Sequence, residues 1–325
     1  MVSTGWSQQE WSRRNERFVK AIATAPTERE ARVRSSDFGR SVLREYSTSF
    51  FTVTRFLPTQ TRRRVEEIYA AVRYPDEVVD TFDLNNSDRK ELLEVWLDQF
   101  QISSGFDGAK ECARAGMPAA LCGFQAVSKE TSIPPEYYLA FMGAMKLDVG
   151  DISFDSWSDL IDKYVYGSAT VVGYFLAHVY GSAITSNHSA TLAAAKNLAV
   201  ALQLTNFARD VKEDYLQGRQ YAPTNVAGLP PENIAGFREW TRHCQVLLAQ
   251  EAERWFEKAS KGMDTYSEDC LTATNACLNV YRRLNRKILS DPKSIDSRAS
   301  LSMREKLSEL PVSKYWVIPS AFLGR

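Results

Sequence analysis

Four polar side chains recur at helical spacing in the segment QLTNFARDVKEDYLQGRQYAP, residues 203–223. At about 100° per residue they fall within about 80° of one another on a helix. Each offers an amide or carboxylate oxygen: Gln203, Asn206, Asp210 and Asp214. A lone pattern of this kind usually marks a solvated acidic face. Here the preceding residues are apolar, so we expect a buried stripe, which is costly unless a cation neutralises it.

A second stripe occurs in YAAVRYPDEVVD, residues 69–80, where Tyr69, Arg73, Asp76 and Asp80 share one helical face. Two acidic stripes that faced each other across a helical cavity would form a polyvalent site for hard cations. Oxygen ligands without nearby His or Cys favour Mg²⁺, or Mn²⁺, over zinc. Magnesium usually completes its coordination with water and substrate phosphates. The two stripes therefore predict metal-bridged binding of a diphosphate.

The composition excludes several other classes of protein. Forty basic and forty acidic residues cancel, so the chain has no overall charge that favours nucleic acid. The five cysteines show no CxxC spacing, which indicates a reducing compartment rather than a disulfide framework or zinc site. The chain has neither an apolar signal-peptide core nor a membrane-spanning run. We therefore expect a cytoplasmic protein, and peripheral membrane contact stays open.

Apolar periodicity predicts an all-α protein, because no segment alternates over a convincing strand length. We expect a polar N-terminal extension at 1–36, containing a short amphipathic helix that caps the domain. One helical domain is expected at 37–310, followed by a C-terminal tail at 311–325. The predicted helices are 37–56, 61–82, 88–102, 115–131, 135–148, 156–180, 189–217, 232–261 and 265–289. Pro75 should kink the second of these, or mark a restart at Asp76, because it removes a hydrogen bond to Ala71.

Four ordered blocks, with a tyrosine on the last long helix, resemble the phytoene/squalene synthase family of head-to-head prenyl transferases. The similarity covers roughly 37–310 and is closest in motif to bacterial-type phytoene synthases. It implies a single-domain, isoprenoid-synthase-type helical bundle whose central cavity is flanked by two Asp-rich helices. The matching features are ALQLTNFARDVKEDYLQGRQYAP at 201–223, RYPDEVVD at 73–80, YSTSFF at 46–51 followed by LP at 57–58, YVYGSATVVG at 164–173, and Tyr281.

The resemblance also implies a reaction and a set of site residues. Two identical prenyl diphosphates condense through a cyclopropylcarbinyl diphosphate, with Mg²⁺ neutralising the leaving group. The implied metal ligands are Asp76 and Asp80 for one group of ions, and Asn206, Asp210 and Asp214 for the other. The implied catalytic residues are the four aspartates with Arg73 and Tyr164. The implied substrate-binding residues are Ser47, Ser49, Phe50, Tyr69, Arg73, Gln203, Arg209 and Tyr281.

The size of the hydrocarbon product is a separate inference. Thr54 follows Phe50 by one helical turn, and its small side chain leaves room for a long prenyl chain. This favours geranylgeranyl diphosphate and phytoene, as does the lack of a recognisable nicotinamide (NADPH) site. Farnesyl diphosphate with squalene, dehydrosqualene or presqualene diphosphate stays open, as does a non-catalytic role in lipid binding or assembly. Pro75, Lys212 and Thr170 depart from the family pattern, and the oligomeric state is left open.

Overall fold

A computed structural model describes residues 5–309, and the predicted tail at 311–325 lies outside them. Helices dominate these residues. The α-helices are α1 (Gln8–Ala23), α2 (Glu28–Tyr46), α3 (Thr48–Thr54), α4 (Thr59–Asp80), α5 (Asn86–Ser103), α6 (Ala109–Arg114), α7 (Ala119–Thr131), α8 (Pro135–Leu147), α9 (Trp157–Asp159), α10 (Val171–Tyr180), α11 (His188–Leu216), α12 (Thr224–Ala227), α13 (Ile234–Ser260), α14 (Glu268–Ser290) and α15 (Met303–Ser308). A π-helix spans Leu160–Thr170, and 3₁₀ turns span Met263–Thr265 and Pro292–Ile295. Two short strands, β1 (Ile152–Ser153) and β2 (Arg219–Gln220), form a parallel pair.

The helices belong to two compact units, of which the first ends at Val149 and the second begins at Gly150. In the first unit α2, α4 and α7 pack against one another. Gly39 permits the close approach of α2 to α4, since a Cβ there would lie 2.3 Å from the carbonyl oxygen of Glu66. In the second unit α11 packs against α13, the π-helix and α10. The expectation of one domain over 37–310 stays a prediction.

The first helix covers an aromatic cluster of the first unit. Trp6 and Trp11 are buried, and their rings lie 5.4 Å apart between centroids. Both rings contact Phe38 and Tyr46 on α2, and the backbone N–H of Trp6 donates to the Tyr46 hydroxyl at 2.9 Å. This packing agrees with the expectation of an amphipathic helix that caps the rest of the unit.

The single helix predicted at 37–56 is wrong, because this region is divided between α2 and α3. Helix α2 begins at Glu28, where the Thr27 side chain caps its first turn. It ends at Tyr46, and Ser47 leaves helical geometry to cap α3. The Ser47 hydroxyl accepts a hydrogen bond from the backbone N–H of Phe50 at 3.3 Å. Local capping by Thr and Ser, which apolar spacing does not report, sets both boundaries.

Pro75 does not interrupt α4, which is continuous from Thr59 to Asp80, so the suggested restart at Asp76 is wrong. The proline leaves the carbonyl of Ala71 without its helical N–H donor. The buried hydroxyl of Tyr138, on α8, replaces that donor at 2.8 Å. Tyr138 in turn accepts a hydrogen bond from the indole N–H of Trp96 at 2.8 Å. A tertiary contact therefore satisfies the carbonyl that the sequence leaves unpaired.

The helix predicted at 156–180 is continuous, but its middle is a π-helix of 11 residues between α9 and α10. The long helix predicted at 189–217 is confirmed as α11, with Gly218 directly beyond its cap. Gly218 has a φ of +83°, and a Cβ there would lie 2.0 Å from the Asp151 carboxylate. Only glycine fits this turn without strain. The residues that follow Asp151 form strand β1.

Among residues 5–309, no helix combines the length and the apolar character that crossing a bilayer requires.

The hydrogen bond from Tyr138 to Ala71 predicts a specific effect on stability. Tyr138→Phe should lower the free energy of unfolding by about 1–3 kcal/mol, since it leaves buried polar groups unpaired. In a Pro75→Ala background the residue at 75 regains its N–H, so Tyr138→Phe should then cost less. Tyr138→Phe also removes the hydrogen bond from Trp96. This loss is the same in both backgrounds, so it cancels when the two costs of Tyr138→Phe are compared in a double-mutant cycle. Urea unfolding of the four proteins measures the difference, and equal costs would contradict this role for Tyr138.

Candidate active site

Arg73 is the centre of the polar face on α4. Its guanidinium forms ion pairs with Asp76 and Glu77, one helical turn further on. The same group lies over the ring of Tyr46, 4.6 Å from its centroid. Burial alone would lower the pKa of Arg73, but the adjacent acidic groups, Asp76 foremost, raise it above its usual range. Arg73 is therefore a permanent cation held among acids.

Glu77 is a buried acid beside this face. Burial raises its pKa to about 7, although the charge of Arg73 acts in the opposite direction. Asp76 and Asp80 differ from it in exposure, since Asp76 is half-buried and Asp80 is exposed at the end of α4. Helix α4 thus buries the carboxyl of Glu77 and leaves those of Asp76 and Asp80 accessible. The accessible pair consists of the two aspartates predicted as metal ligands.

The other predicted residues of the first unit lie on α3 and on the preceding turn of α4. Phe50 and Tyr69 are half-buried, with ring centroids 6.0 Å apart. Ser47 and Ser49 are also half-buried, and the Ser47 hydroxyl is engaged in capping α3. Helix α3 therefore brings Phe50 to the side of α4 that carries Tyr69. The predicted roles of these residues in binding substrate stay predictions.

Thr54 is enclosed rather than open. Its side chain is only 1% exposed, and its hydroxyl donates to the Phe51 carbonyl at 2.8 Å. The same hydroxyl accepts from Arg55 at 3.2 Å, and Arg55 forms a buried ion pair with Glu66. Thr54 therefore belongs to a buried polar cluster, a feature that its spacing from Phe50 does not reveal.

The polar stripe on α11 lies where the buried face of that helix meets its exposed face. Gln203, Asn206, Asp210 and Asp214 are all half-buried, whereas Val211 between them is buried and Lys212 is exposed. The expectation of a fully buried stripe is therefore only partly met. The four polar side chains remain accessible, while the neighbouring apolar side chains of α11 are buried. Asn206, Asp210 and Asp214 follow Gln203 by three, seven and eleven residues, and this helical spacing puts all four side chains on one face.

Two arginines hold Asp210. Arg209 donates to its two oxygens at 2.9 and 2.6 Å, and Arg298 donates to the same oxygens at 2.8 and 2.9 Å. Burial would raise the pKa of Asp210, but hydrogen bonds from both guanidiniums lower it overall. Asp210 is therefore an ionised carboxylate at neutral pH. Arg209 and Arg298 each bind this carboxylate through two hydrogen bonds, and the same forked geometry matches phosphate oxygens.

Sequence reasoning missed Arg298, which follows the last 3₁₀ turn and lies far from Asp210 along the chain. Its pKa is raised by the hydrogen bond with Asp210, by the charge of Asp210 and by the charges of Glu213 and Asp214. The isolated arginine has no motif around it that indicates a site. Its role is visible only because the C-terminal part of the second unit folds back on α11.

Asp214, the last acidic residue of the stripe, lies near a further arginine. Its Oδ1 is 3.9 Å from Nη2 of Arg219, a buried residue of strand β2. Strand β2 pairs in parallel with β1, so that Ile152 is opposite Arg219. The two-residue strands thus fix Arg219 beneath the end of α11.

Tyr164 lies in the π-helix within a buried aromatic cluster. Its hydroxyl is 3.0 Å from that of Tyr221, and its ring packs against Phe154, Phe207 and Tyr221. Phe207 lies on the buried face of α11, between Asn206 and Ala208. This cluster forms an apolar floor directly behind the polar stripe. The predicted catalytic role of Tyr164 stays a prediction.

Tyr281 on α14 is half-buried. Burial raises its pKa to about 12, and the charge of Arg209 acts in the opposite direction. The hydroxyl therefore stays protonated at neutral pH and can donate a hydrogen bond. Helix α14 packs against α11, which carries the polar stripe, and the predicted role of Tyr281 in binding substrate stays a prediction.

The donor sets can be compared with what a divalent metal needs. Within residues 5–309, no group of three or more His, Cys, Asp or Glu side chains is arranged to hold a metal ion. The polar stripe on α11 also contains the amide oxygens of Gln203 and Asn206, and amide side chains are not among the four residue types just named. All predicted ligands are oxygen donors, as Mg²⁺ prefers. Gln203 and Asn206 have no hydrogen-bond partner in that range, so their oxygens are available. The chemistry of the residues fits a magnesium site of this kind.

Comparison with known proteins decides the family. The family model described as squalene/phytoene synthase matches residues 43–305. The chain belongs to the squalene/phytoene synthase family. It is 30% identical to a 15-cis-phytoene synthase of Enterobacter agglomerans over 81% of this chain and 90% of that protein. It is also 30% identical to a presqualene diphosphate synthase of Zymomonas mobilis, over 79% of this chain and 85% of that protein.

Solved structures show the same fold. A dehydrosqualene synthase in complex with a ligand aligns with a TM-score of 0.68 and 20% identity, covering 92% of this chain and all of that one. A squalene synthase from Alicyclobacillus acidocaldarius aligns with a TM-score of 0.63 and 21% identity, covering 83% and 96%. The predicted all-α, isoprenoid-synthase-type fold is confirmed. As a member of this family, the chain is a prenyltransferase of the head-to-head class.

The pairing of Asp210 predicts how its pKa responds to substitution. Arg298→Gln should raise the pKa of Asp210 towards its ordinary value, because one of two stabilising guanidiniums is lost. Arg254→Gln is the control, since Arg254 is an exposed arginine of the second unit paired with Glu251. Carboxyl NMR titration of the metal-free protein with selectively labelled aspartate measures the shift. An unchanged Asp210 titration in Arg298→Gln would contradict the pairing.

Proposed function

We propose that the chain joins two molecules of geranylgeranyl diphosphate to form phytoene, with release of diphosphate and dependence on Mg²⁺. The observation that carries the proposal is the conjunction of two arginine-bearing acidic faces with 30% identity to 15-cis-phytoene synthases. Each face joins carboxylates that suit a hard cation to guanidiniums that suit a diphosphate.

The chemistry is demanding because an allylic carbon–oxygen bond must break to leave a carbocation. In the proposed sequence the cation is attacked by the double bond of the second substrate, which gives a cyclopropylcarbinyl diphosphate. A second ionisation, rearrangement and loss of a proton then give the hydrocarbon. Bound Mg²⁺ would neutralise charge on the departing diphosphate. It would be held by Asp76 and Asp80, and by Asn206, Asp210 and Asp214.

The arginines have a direct part in this scheme. Arg73 is fixed between Asp76 and Glu77, so it presents its charge without having to be desolvated on substrate binding. Arg209 and Arg298 both bind Asp210 in the protein alone. When Asp210 turns to a metal ion, the two guanidiniums become available to diphosphate oxygens. The protonated hydroxyl of Tyr281 would add a hydrogen bond to the same anion.

A carbocation also needs a surface without water. Phe50 and Tyr69 in the first unit, and the Tyr164 cluster in the second, supply aromatic rings next to the polar faces. Aromatic rings attract cations through their negative faces. The hydroxyl of Thr170, at the end of the π-helix, is buried and has no hydrogen-bond partner within residues 5–309. A wall for the hydrocarbon chain at this end of the π-helix would therefore contain an unpaired hydroxyl group.

A second candidate reaction uses farnesyl diphosphate and gives a shorter product. The identity to a presqualene diphosphate synthase, also 30%, favours this alternative as the runner-up. That reaction would require the same two faces and would stop after the first condensation. A non-catalytic role in lipid binding or assembly is less favoured, since every carboxylate of both acidic motifs is present.

Incubation with labelled farnesyl and geranylgeranyl diphosphates plus Mg²⁺, followed by mass spectrometry of the lipids, tests the proposal. We expect a C40 hydrocarbon from geranylgeranyl diphosphate, and none when EDTA replaces Mg²⁺. Asp76→Ala and Asp210→Ala should each lower turnover at least about 10²-fold, because leaving-group stabilisation is lost. Asp107→Asn, at a highly exposed carboxylate, is the control. Lack of turnover of both substrates would refute the proposal, and parental turnover by Asp210→Ala would refute its metal role.

Chain length is tested separately at Thr54. Thr54→Phe should shift the preference towards farnesyl diphosphate, because Thr54 is buried and the larger ring must displace neighbouring side chains of α3 and so narrow the adjacent space. Thr54→Val is the matched control, since it removes the hydroxyl contacts while keeping the volume. Overpacking typically costs about 1–3 kcal/mol, so folding of Thr54→Phe is first verified by thermal unfolding. A folded Thr54→Phe protein with the parental ratio of C40 to C30 product would contradict this role.

A further inference from the structure

Two of the three histidines of the chain lie side by side in the second unit. His178 belongs to the last turn of α10, and His188 is the first residue of α11. Their Nε2 atoms are 3.5 Å apart, and their ring centroids are 4.6 Å apart with the planes at 73°. We call these two residues the histidine pair. The turn that joins the two helices brings them together.

The separation of the two nitrogens fits shared coordination of a metal ion better than it fits a hydrogen bond. A hydrogen bond from an N–H donor usually spans about 2.7–3.2 Å. Two imidazole nitrogens that bind one tetrahedral zinc ion at about 2.0–2.1 Å lie about 3.3–3.4 Å apart. The 3.5 Å of the histidine pair is close to the second spacing. His188 is exposed, so its ring has room for the small rotation that shared coordination requires.

The turn between α10 and α11 is anchored to the loop that precedes α14. The carbonyl of Gly181 accepts from the backbone N–H of Ser267 at 3.1 Å, and the Ser267 hydroxyl donates to the carbonyl of Tyr180 at 2.6 Å. The backbone N–H of Ala183 donates to the carbonyl of Thr265 at 2.8 Å. These bonds fix the turn, and with it the two helix ends, before any ligand binds. A pair of ligands that is already in position binds an ion at a lower entropic cost.

A series of hydroxyl groups lies behind His188. The Oγ of Ser182 is 3.4 Å from Nδ1 of His188 and 2.8 Å from Oγ1 of Thr191, which is 2.9 Å from the carbonyl oxygen of Thr265. When Nε2 of a histidine binds a metal ion, Nδ1 carries the proton and donates it to a neighbour. Ser182 can accept from Nδ1 while it donates to Thr191, and Thr191 can donate to the carbonyl. The series therefore supports the form of His188 that a metal ion needs.

The nature of the ligands indicates which metal would bind. Imidazole nitrogen suits Zn²⁺, whereas Mg²⁺ prefers oxygen. The five cysteines are all buried, so their thiols do not compete for zinc at this surface. The third histidine, His243, has its Nε2 3.2 Å from the carbonyl oxygen of Val226. A carbonyl only accepts, so Nε2 of His243 carries a proton and has no lone pair for a metal ion.

We propose that His178 and His188 bind a Zn²⁺ ion through their Nε2 atoms, with water in the other coordination positions. The ion would join the end of α10, which continues the π-helix of Tyr164, to the start of α11. From His188 to Gln203 the rise along α11 is about 22 Å, so the site is separate from the polar stripe of that helix. With two protein ligands, the site would exchange its ion with solution.

A titration of the EDTA-treated and desalted protein with zinc chloride, in excess Mg²⁺, tests the proposal. In ¹⁵N NMR the imidazole signals of His178 and His188 should shift together, and those of His243 should not. By calorimetry, His178→Gln and His188→Gln should each weaken zinc binding at least about tenfold, because each removes one of two protein ligands. His243→Gln is the matched control and should leave the affinity unchanged.

Two further measurements examine the surroundings of the pair. Ser182→Ala keeps both ligands and removes the partner of Nδ1, so it should weaken zinc binding about tenfold. Zinc should also raise the thermal unfolding temperature of the parental protein and of His243→Gln, because it binds the folded state. It should not do so in the double variant His178→Gln/His188→Gln. The same unfolding curves show whether each variant is folded.

Several outcomes would overturn the proposal. Equal shifts of all three histidines would show only general attraction of zinc to imidazole. An unchanged zinc affinity in the folded double variant, or displacement of the ion by Mg²⁺, would place zinc at the carboxylates. An unchanged affinity in Ser182→Ala would contradict the supporting role of the hydroxyl series. These measurements use no prenyl substrate, so they are independent of the proposed reaction.

Discussion

The ion pair between arginine and carboxylate is the interaction on which both acidic helices depend. A half-buried carboxylate loses hydration, and it persists in ionised form only when a nearby cation or donor compensates. On α4 this compensation comes from Arg73, which contacts Asp76 and Glu77. On α11 it comes from Arg209 and Arg298, which share Asp210. Arginines therefore compensate Asp76, Glu77 and Asp210 before any ligand is present.

The same pairing determines what the helices can exchange. In the proposed reaction, a metal ion bound to Asp210 would release two guanidiniums, whose forked geometry matches phosphate oxygens. On α4 the situation differs, because the buried Glu77 pairs with Arg73 in addition to Asp76. Glu77 would therefore keep Arg73 in position if Asp76 bound a metal ion.

How far the sequence could predict this arrangement depends on whether a contact is local. Helical spacing placed Asn206, Asp210 and Asp214 on one face of α11, and the structure has them there. The partner Arg298 could not be predicted, because no periodicity connects it to Asp210. The boundary between α2 and α3 could not be predicted for a different reason. The apolar pattern continues across Ser47, but capping of α3 by the Ser47 side chain ends the preceding helix there. The π-helix was missed because apolar spacing does not distinguish it from an α-helix.

Pro75 shows the limit of local reasoning most clearly. Its effect on the Ala71 carbonyl follows from covalent structure alone, and a kink or a restart was the reasonable local consequence. The structure instead resolves the problem through Tyr138, which belongs to another helix. Proline in α4 therefore makes the helix bearing Arg73 and Asp76 dependent on α8, and through Trp96 on α5. The geometry of the first acidic face is in this sense a property of the whole unit rather than of its own motif.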